Sequence, residues 1–119
     1  MPDTVRVFHC DDSSAFRILV REMLQDYGAV EIVGEAAGLE EAVDKLRAAQ
    51  ADVVLVDLFE EQHEDEILGS LRAVAPTAGL VLYTGMPETH APAGFERHVH
   101  KSAPFDELHR TILEVAARA

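Results

Sequence analysis

The sequence predicts a doubly wound α/β sandwich with five parallel strands, and three observations predict it. Short apolar stretches alternate with amphipathic stretches of helical period along most of the chain. Val53-Val54-Leu55-Val56 is a run of four apolar residues, three of them β-branched, as a strand buried on both faces requires. Cap and stop residues punctuate the segments: Ser13 or Ser14, Gly28, Pro76 and Pro104. Strand–helix alternation of this kind closes through right-handed crossovers, which cover both faces of a parallel sheet.

Taken in order, residues 5–10 read as a buried strand stopped by Asp11-Asp12. Ser13 or Ser14 caps a helix whose apolar residues Phe16, Leu19, Val20, Met23, Leu24 and Tyr27 recur at helical spacing. Gly28 ends it where a left-handed residue is wanted. Residues 30–35 form the second strand, and 39–49 a helix with Leu39, Ala42, Val43 and Leu46 inward. Residues 52–57 are the third strand. A third helix spans about 64–75, with Ile67, Leu68, Leu71 and Val74 on one stripe, until Pro76 stops it. Residues 80–84 are strand four and 95–100 strand five. Pro104 opens a final helix in its first turn, Asp106 and Glu107 suit its positive end, and Phe105, Leu108, Ile112 and Val115 face the core. Between Thr84 and Phe95 two prolines and two glycines with no apolar stripe argue against a regular helix.

The 119 residues suit one domain with one proper core, and 48% hydrophobic with 27% charged residues excludes disordered and fibrous classes. No apolar run approaches a membrane span, and the opening residues show no secretory signal. One cysteine permits no internal disulfide, which fits a reducing cytoplasm; Cys10, beside two carboxylates, reads as a small buried hydrophobe. Net charge is −12, from 22 acidic and 10 basic residues, so direct binding to DNA or anionic lipid is not expected. Acidity suits a cation or a basic partner surface.

In an open parallel sheet, ligands sit at the carboxyl ends of the strands. Those ends hold Asp11 and Asp12, then Asp57, Thr84 and Lys101. Three crowded carboxylates repel one another unless a hard cation joins them, and oxygen ligands suit Mg²⁺. A hydroxyl and an ammonium on the same edge can hold phosphoryl oxygens. Asp11-Asp12 alone reads as a turn and a helix cap; the four successive strand ends together carry the assignment.

This constellation resembles the receiver domain of bacterial two-component response regulators over nearly the whole chain. The stretch 5–58, with Gly34-Glu35-Ala36 and Asp52-Val53-Val54-Leu55-Val56-Asp57-Leu58, is similar to receivers that precede helix-turn-helix output domains. So is Lys101-Ser102-Ala103-Pro104-Phe105-Asp106-Glu107-Leu108. The resemblance implies one receiver domain over 1–119, with a flavodoxin-like sheet of order 2-1-3-4-5. It implies Asp57 as phosphoacceptor, with Mg²⁺ bound by Asp12 and Asp57, by Asp11 mostly through water, and by the carbonyl of Phe59. Lys101 would pair with the phosphoryl group and Thr84 would swing to it, while His98 falls at the aromatic switch position. The implied partner is a histidine kinase or phosphotransfer protein, in the cytoplasm, with homodimer formation left open and no enzymatic activity beyond phosphotransfer.

The sequence also departs from that pattern. After Asp57, Phe59-Glu60-Glu61-Gln62-His63-Glu64-Asp65-Glu66 replaces the usual Met-Pro and Asp-Gly, and its five carboxylates read as a solvated helix start. The segment from Thr84 to Lys101 is short, so the fourth helix is expected to be reduced to a loop. His98 and His100 share a strand face, but no histidine pair has the helical spacing of a transition-metal site. Phe59 and Met86, two residues beyond Asp57 and Thr84, flank the family's route for hydrolytic water. Two apolar side chains there should keep the phosphorylated state alive well beyond seconds. Phe59→Asn should shorten that lifetime, read as loss of phosphoryl mass with time; an unchanged short lifetime would refute the idea.

Other classes stay open on sequence alone. A degenerate receiver would act as a phosphorylation-independent interaction module. An aspartate-nucleophile phosphatase needs a second carboxylate where Phe59 stands, and nucleotide or flavin binding needs a Gly-rich turn where Asp11-Asp12 stands.

Overall fold

Period-two alternation along the central strands feeds two separate cores, one on each face of the sheet. In the computed structural model, which describes residues 4–57, 64–85 and 94–117, Val7, Val53, Leu55, Val81, Tyr83 and Val99 point to one face. Phe8, Cys10, Val54, Val56 and Leu80 point to the other. The elements in chain order are β1 (Val5–Asp11), α1 (Ser14–Tyr27), β2 (Val30–Ala36), α2 (Leu39–Ala49), β3 (Val53–Asp57), α3 (Glu64–Val74), β4 (Gly79–Thr84), β5 (Arg97–His100) and α4 (Phe105–Ala117). The five strands are parallel in the order β2-β1-β3-β4-β5. This is the sheet that the sequence predicts. Helices α1 and α4 cover the first face, α2 and α3 the second.

Local chemistry explains the boundaries. Ser13 caps α1, its Oγ accepting the Phe16 N–H at 3.2 Å, and Gly28 takes φ +78° at the other end. Of the apolar residues at helical spacing, Val20 and Leu24 are buried, whereas Leu19 and Tyr27 are 41% and 42% exposed. Leu19 lies about 100° around the helix from Val20, off the stripe that meets the sheet. Tyr27 lies at the last turn, where its ring stacks on His109 of α4 at 5.0 Å.

Strand β5 begins at Arg97 rather than at Phe95. Glu96 is occupied otherwise: its carboxylate accepts the Leu80 N–H at 2.6 Å and pairs with Arg72 at 2.7 Å. Pro104 stands one residue before α4, and its carbonyl accepts the Glu107 N–H at 3.0 Å. Gly79 starts β4 so close to α4 that a Cβ there would lie 2.2 Å from Cγ1 of Val115. The expected loss of the helix between β4 and β5 falls mainly on residues 86–93, outside the described residues.

The topology sets the carboxyl ends of β1, β3, β4 and β5 along one edge. Asp11 pairs in register with Asp57, and Thr84 with His100.

Candidate functional site

Asp11 ends β1 and Asp57 ends β3, so parallel pairing alone brings two carboxylates side by side. Neighbouring like charges need a counter-charge, and Lys101, the residue after β5, supplies it. Its Nζ lies 2.6 Å from Oδ2 of Asp57 and 2.8 Å from Oδ2 of Asp11. The ammonium also sits 4.2 Å from the centre of the Phe16 ring, a cation–π contact. At the base of this turn the Lys101 N–H donates to the Thr84 carbonyl at 2.9 Å, which ties the ends of β4 and β5.

The three groups differ in exposure. The Asp11 side chain is fully buried, Lys101 is 15% exposed and Asp57 is 20% exposed. Asp57 is therefore the carboxylate of the pair that an incoming reagent can reach. Burial by itself would raise the pKa of Asp11. The His9 ring and the Lys101 ammonium beside it outweigh burial, helped by the Ser13 N–H at 2.9 Å, and hold Asp11 below the usual carboxylate range. Burial likewise opposes the charge of Lys101, but bonding to Asp11 and Asp57 raises its pKa above the ordinary lysine value. The resting site is thus a compact, compensated anion–cation–anion group.

Four of the residues predicted from sequence meet here: Asp11, Asp57 and Lys101 in direct contact, and Thr84 buried at the adjacent strand end. Asp12 lies at the same edge with its side chain exposed. Phe59 lies outside the described residues, as does Met86. Among the described residues no group of three His, Cys, Asp or Glu side chains is gathered as a metal site. His98 alternates with Val99, which lies in the α1/α4 core, and both of its ring nitrogens are buried without a hydrogen-bond partner among the described residues.

Beneath the edge lies a layer to which the sequence reading assigns no role. His9 is 1% exposed, with Nε2 3.6 Å from Oδ2 of Asp11. Tyr83 is also buried; burial first, and the charge of Asp11 second, push its pKa up to about 12. The signal for His9 is its place two residues before Asp11 on a strand, hence on the same face. Arg17 adds a further tie, its Nη1 donating to the Asp11 carbonyl at 2.5 Å while Nε lies 3.8 Å from Glu35. Cys10, on the opposite face, is fully buried, and burial pushes its thiol pKa far up. It is the inert hydrophobe expected.

No family model matches the chain. A curated relative, the protein-glutamate methylesterase/protein-glutamine glutaminase of Alkalilimnicola ehrlichii, is 33% identical over 92 residues, which is 71% of this chain and 23% of that protein. The chain thus spans about a quarter of the length of that relative. Among solved structures, the signal receiver domain of the putative response regulator NarL from Mycobacterium tuberculosis is 26% identical with a TM-score of 0.83, covering 98% of both chains. A CheY6 structure from R. sphaeroides, described in complex with the P1 domain of CheA3, shares the fold at a TM-score of 0.82 and 22% identity, covering 98% of this chain and 99% of that one. No helix among the described residues is long and apolar enough to cross a membrane. With sheet order, strand-end residues and structural likeness in agreement, the chain belongs to the receiver domains of two-component response regulators.

Proposed function

We propose that the chain accepts a phosphoryl group on Asp57 from a phosphohistidine of a histidine kinase or phosphotransfer protein in the cytoplasm. The observation that carries this reading is the contact of Lys101 with the partly exposed Asp57 on one side and the buried Asp11 on the other. Such an arrangement holds a nucleophilic carboxylate at the surface while keeping a cation where transferred oxygens would arrive.

In the proposed step an oxygen of Asp57 attacks phosphorus in line, a new O–P bond forms and the P–N bond to the donor imidazole breaks. The imidazole leaves with the electron pair and is protonated. Lys101 neutralises charge on the transferring oxygens, and the Thr84 hydroxyl is the neighbouring donor for the product. Positioning and electrostatics account for most of the rate in such transfers. The acyl phosphate adds charge to this edge. The Thr84 hydroxyl and the Lys101 ammonium hold that product more strongly than the free carboxylate, and the difference shifts a two-state equilibrium of the β4–β5 side.

The donor set fits Mg²⁺ in kind, since two carboxylates of adjacent strands already converge on a cationic group. Asp11, Asp12 and Asp57, with the Phe59 carbonyl, would hold the ion. When bound, it would offset the negative charge of the acidic cluster and of the phosphoryl oxygens. The methylesterase and glutaminase activities in the relative's name belong to a protein several times longer. For this chain we propose a signalling acceptor rather than an esterase.

The test is incubation with Mg²⁺ and acetyl phosphate. One phosphoryl mass should appear on the wild type and be lost entirely in Asp57→Asn. No mass gain, or a gain that survives Asp57→Asn, would defeat the reading and favour a phosphorylation-independent interaction module.

A further inference from the structure

His100 is the last residue of β5, pairs in register with Thr84 at the end of β4 and directly precedes Lys101. Its side chain is exposed, yet both ring nitrogens are engaged. Nδ1 lies 3.0 Å from the Ser102 backbone N and 2.7 Å from the Ser102 hydroxyl, while Nε2 lies 3.0 Å from the Gly85 carbonyl. The directions of these bonds fix the tautomer. The Ser102 N–H can only donate, so Nδ1 accepts; the Gly85 carbonyl can only accept, so Nε2 carries the proton. The neutral imidazole is used at both ends. Gly85 directly follows Thr84, and Ser102 directly follows Lys101.

We infer that His100 is a positioning residue: a clip that spans the loops after β4 and β5 and holds the Thr84 hydroxyl and the Lys101 ammonium in fixed relation. This deepens, and rests on, the reading of Asp57 as phosphoacceptor, because those two groups are the ones assigned to the transferred oxygens. A side chain of aliphatic type would satisfy strand β5 equally well, since His100 is exposed and Thr84 already receives the Lys101 N–H through the backbone. What the imidazole adds is a second tie, beyond the last ladder hydrogen bond, at the point where the chain leaves the sheet toward residue 86. Strand ends fray where backbone pairing stops, and a side-chain bridge there removes that freedom.

Two measurements test the clip. In the resting protein, nitrogen NMR should show His100 as the Nε2–H tautomer; an Nδ1–H ring overturns the proposal. His100→Val, a β-branched residue at an exposed strand position, should leave the fold intact. It should raise amide hydrogen exchange at Gly85 and Ser102 and slow acetyl-phosphate uptake on Asp57 by about fivefold, a fraction of the ~100-fold that a shift of ~1 Å in a positioned group costs. His100→Gln keeps a donor for Gly85 and should recover part of both losses. Equal losses in the Val and Gln variants would place the effect in packing and overturn the clip, as would unchanged exchange and uptake in His100→Val. If the wild type itself takes up no phosphoryl group, the functional reading fails, and the tautomer and exchange data alone decide the clip.

Discussion

Lys101→Met is expected to slow phosphoryl uptake on Asp57 by about 100-fold or more, the scale of losing one preorganised donor at a site of developing charge. The same variant should lose about 2 kcal/mol of folding stability at neutral pH, below the 3–5 kcal/mol of a fully buried pair because Asp57 is partly exposed. The loss arises from Asp11, fully buried and left without its cation. Its pH dependence separates this cause from lost packing. In the wild type the folded pKa of Asp11 is depressed, so its contribution is present above the unfolded carboxylate pKa and fades as pH falls through the lower folded value. Lys101 is shifted upward, so its contribution is present below the unfolded lysine pKa and fades as pH rises through the higher folded value. Both therefore act in full at neutral pH. Removing Lys101 takes away two of the influences that hold Asp11 low and leaves burial, the largest single one, opposed only by the His9 ring and the Ser13 N–H. The carboxyl of the variant therefore takes a proton more readily than that of the wild type. Mild acidification should thus narrow the stability gap between Lys101→Met and wild type. Urea titrations at neutral and mildly acidic pH read this directly, and a gap that stays constant would disprove the assignment.

Gly79→Ala should be the most destabilising single methyl addition at a glycine in the sheet, at about 2–3 kcal/mol, the upper range for overpacking a core. The added Cβ would lie 2.2 Å from Cγ1 of Val115, which is buried in α4. Neither partner can retreat cheaply. Valine in a helix has one favoured rotamer, and the Gly79 N–H is held by the Asp52 carbonyl at 2.9 Å. Val115→Ala alone should cost about 1–2 kcal/mol through the cavity it leaves. The double variant should be little worse than Val115→Ala, since the new methyl enters the vacated space, giving a coupling of at least about 1 kcal/mol. Additive penalties in denaturant titrations would contradict the close approach. Phosphoryl uptake per folded molecule should be unchanged, because Gly79 lies at the end of β4 remote from Thr84.

The contrast between these two residues shows what was legible in the sequence. Asp11, Asp57 and Thr84 were readable because each closes an apolar run, and Lys101 because it follows the short last strand and precedes the Pro104 that opens the final helix; parallel strands place all such ends on one edge. The partner of Lys101 was not readable: that one ammonium reaches both Asp11 and Asp57 depends on side-chain reach across three strands. Gly79 reads as an ordinary glycine after a turn until α4 is seen against it. Leu19 and Tyr27 share the helical spacing yet stand exposed, because that spacing defines a stripe but not its width, nor where a helix overhangs its neighbours. His9 and Tyr83 look like strand residues of a buried face, and they are; only the sheet shows that they floor the acidic edge. The clip at His100 was hidden for a similar reason, since hydrogen bonds to the Gly85 carbonyl and Ser102 N–H involve backbone that sequence leaves unlabelled.

The in-register pairing of Asp11 with Asp57 bears on the order in which the chain is made. Both carboxylates leave the ribosome well before Lys101, so β1 and β3 can align while the ammonium that reconciles them is not yet synthesised. A nascent chain cut after β3 should therefore dock these strands only loosely at their carboxyl ends, with repulsion lowest at the apolar Val7–Val53 end. The last third of the chain then acts as a latch on the first half, and the residue assigned to the proposed transfer is also the one that lets the sheet close.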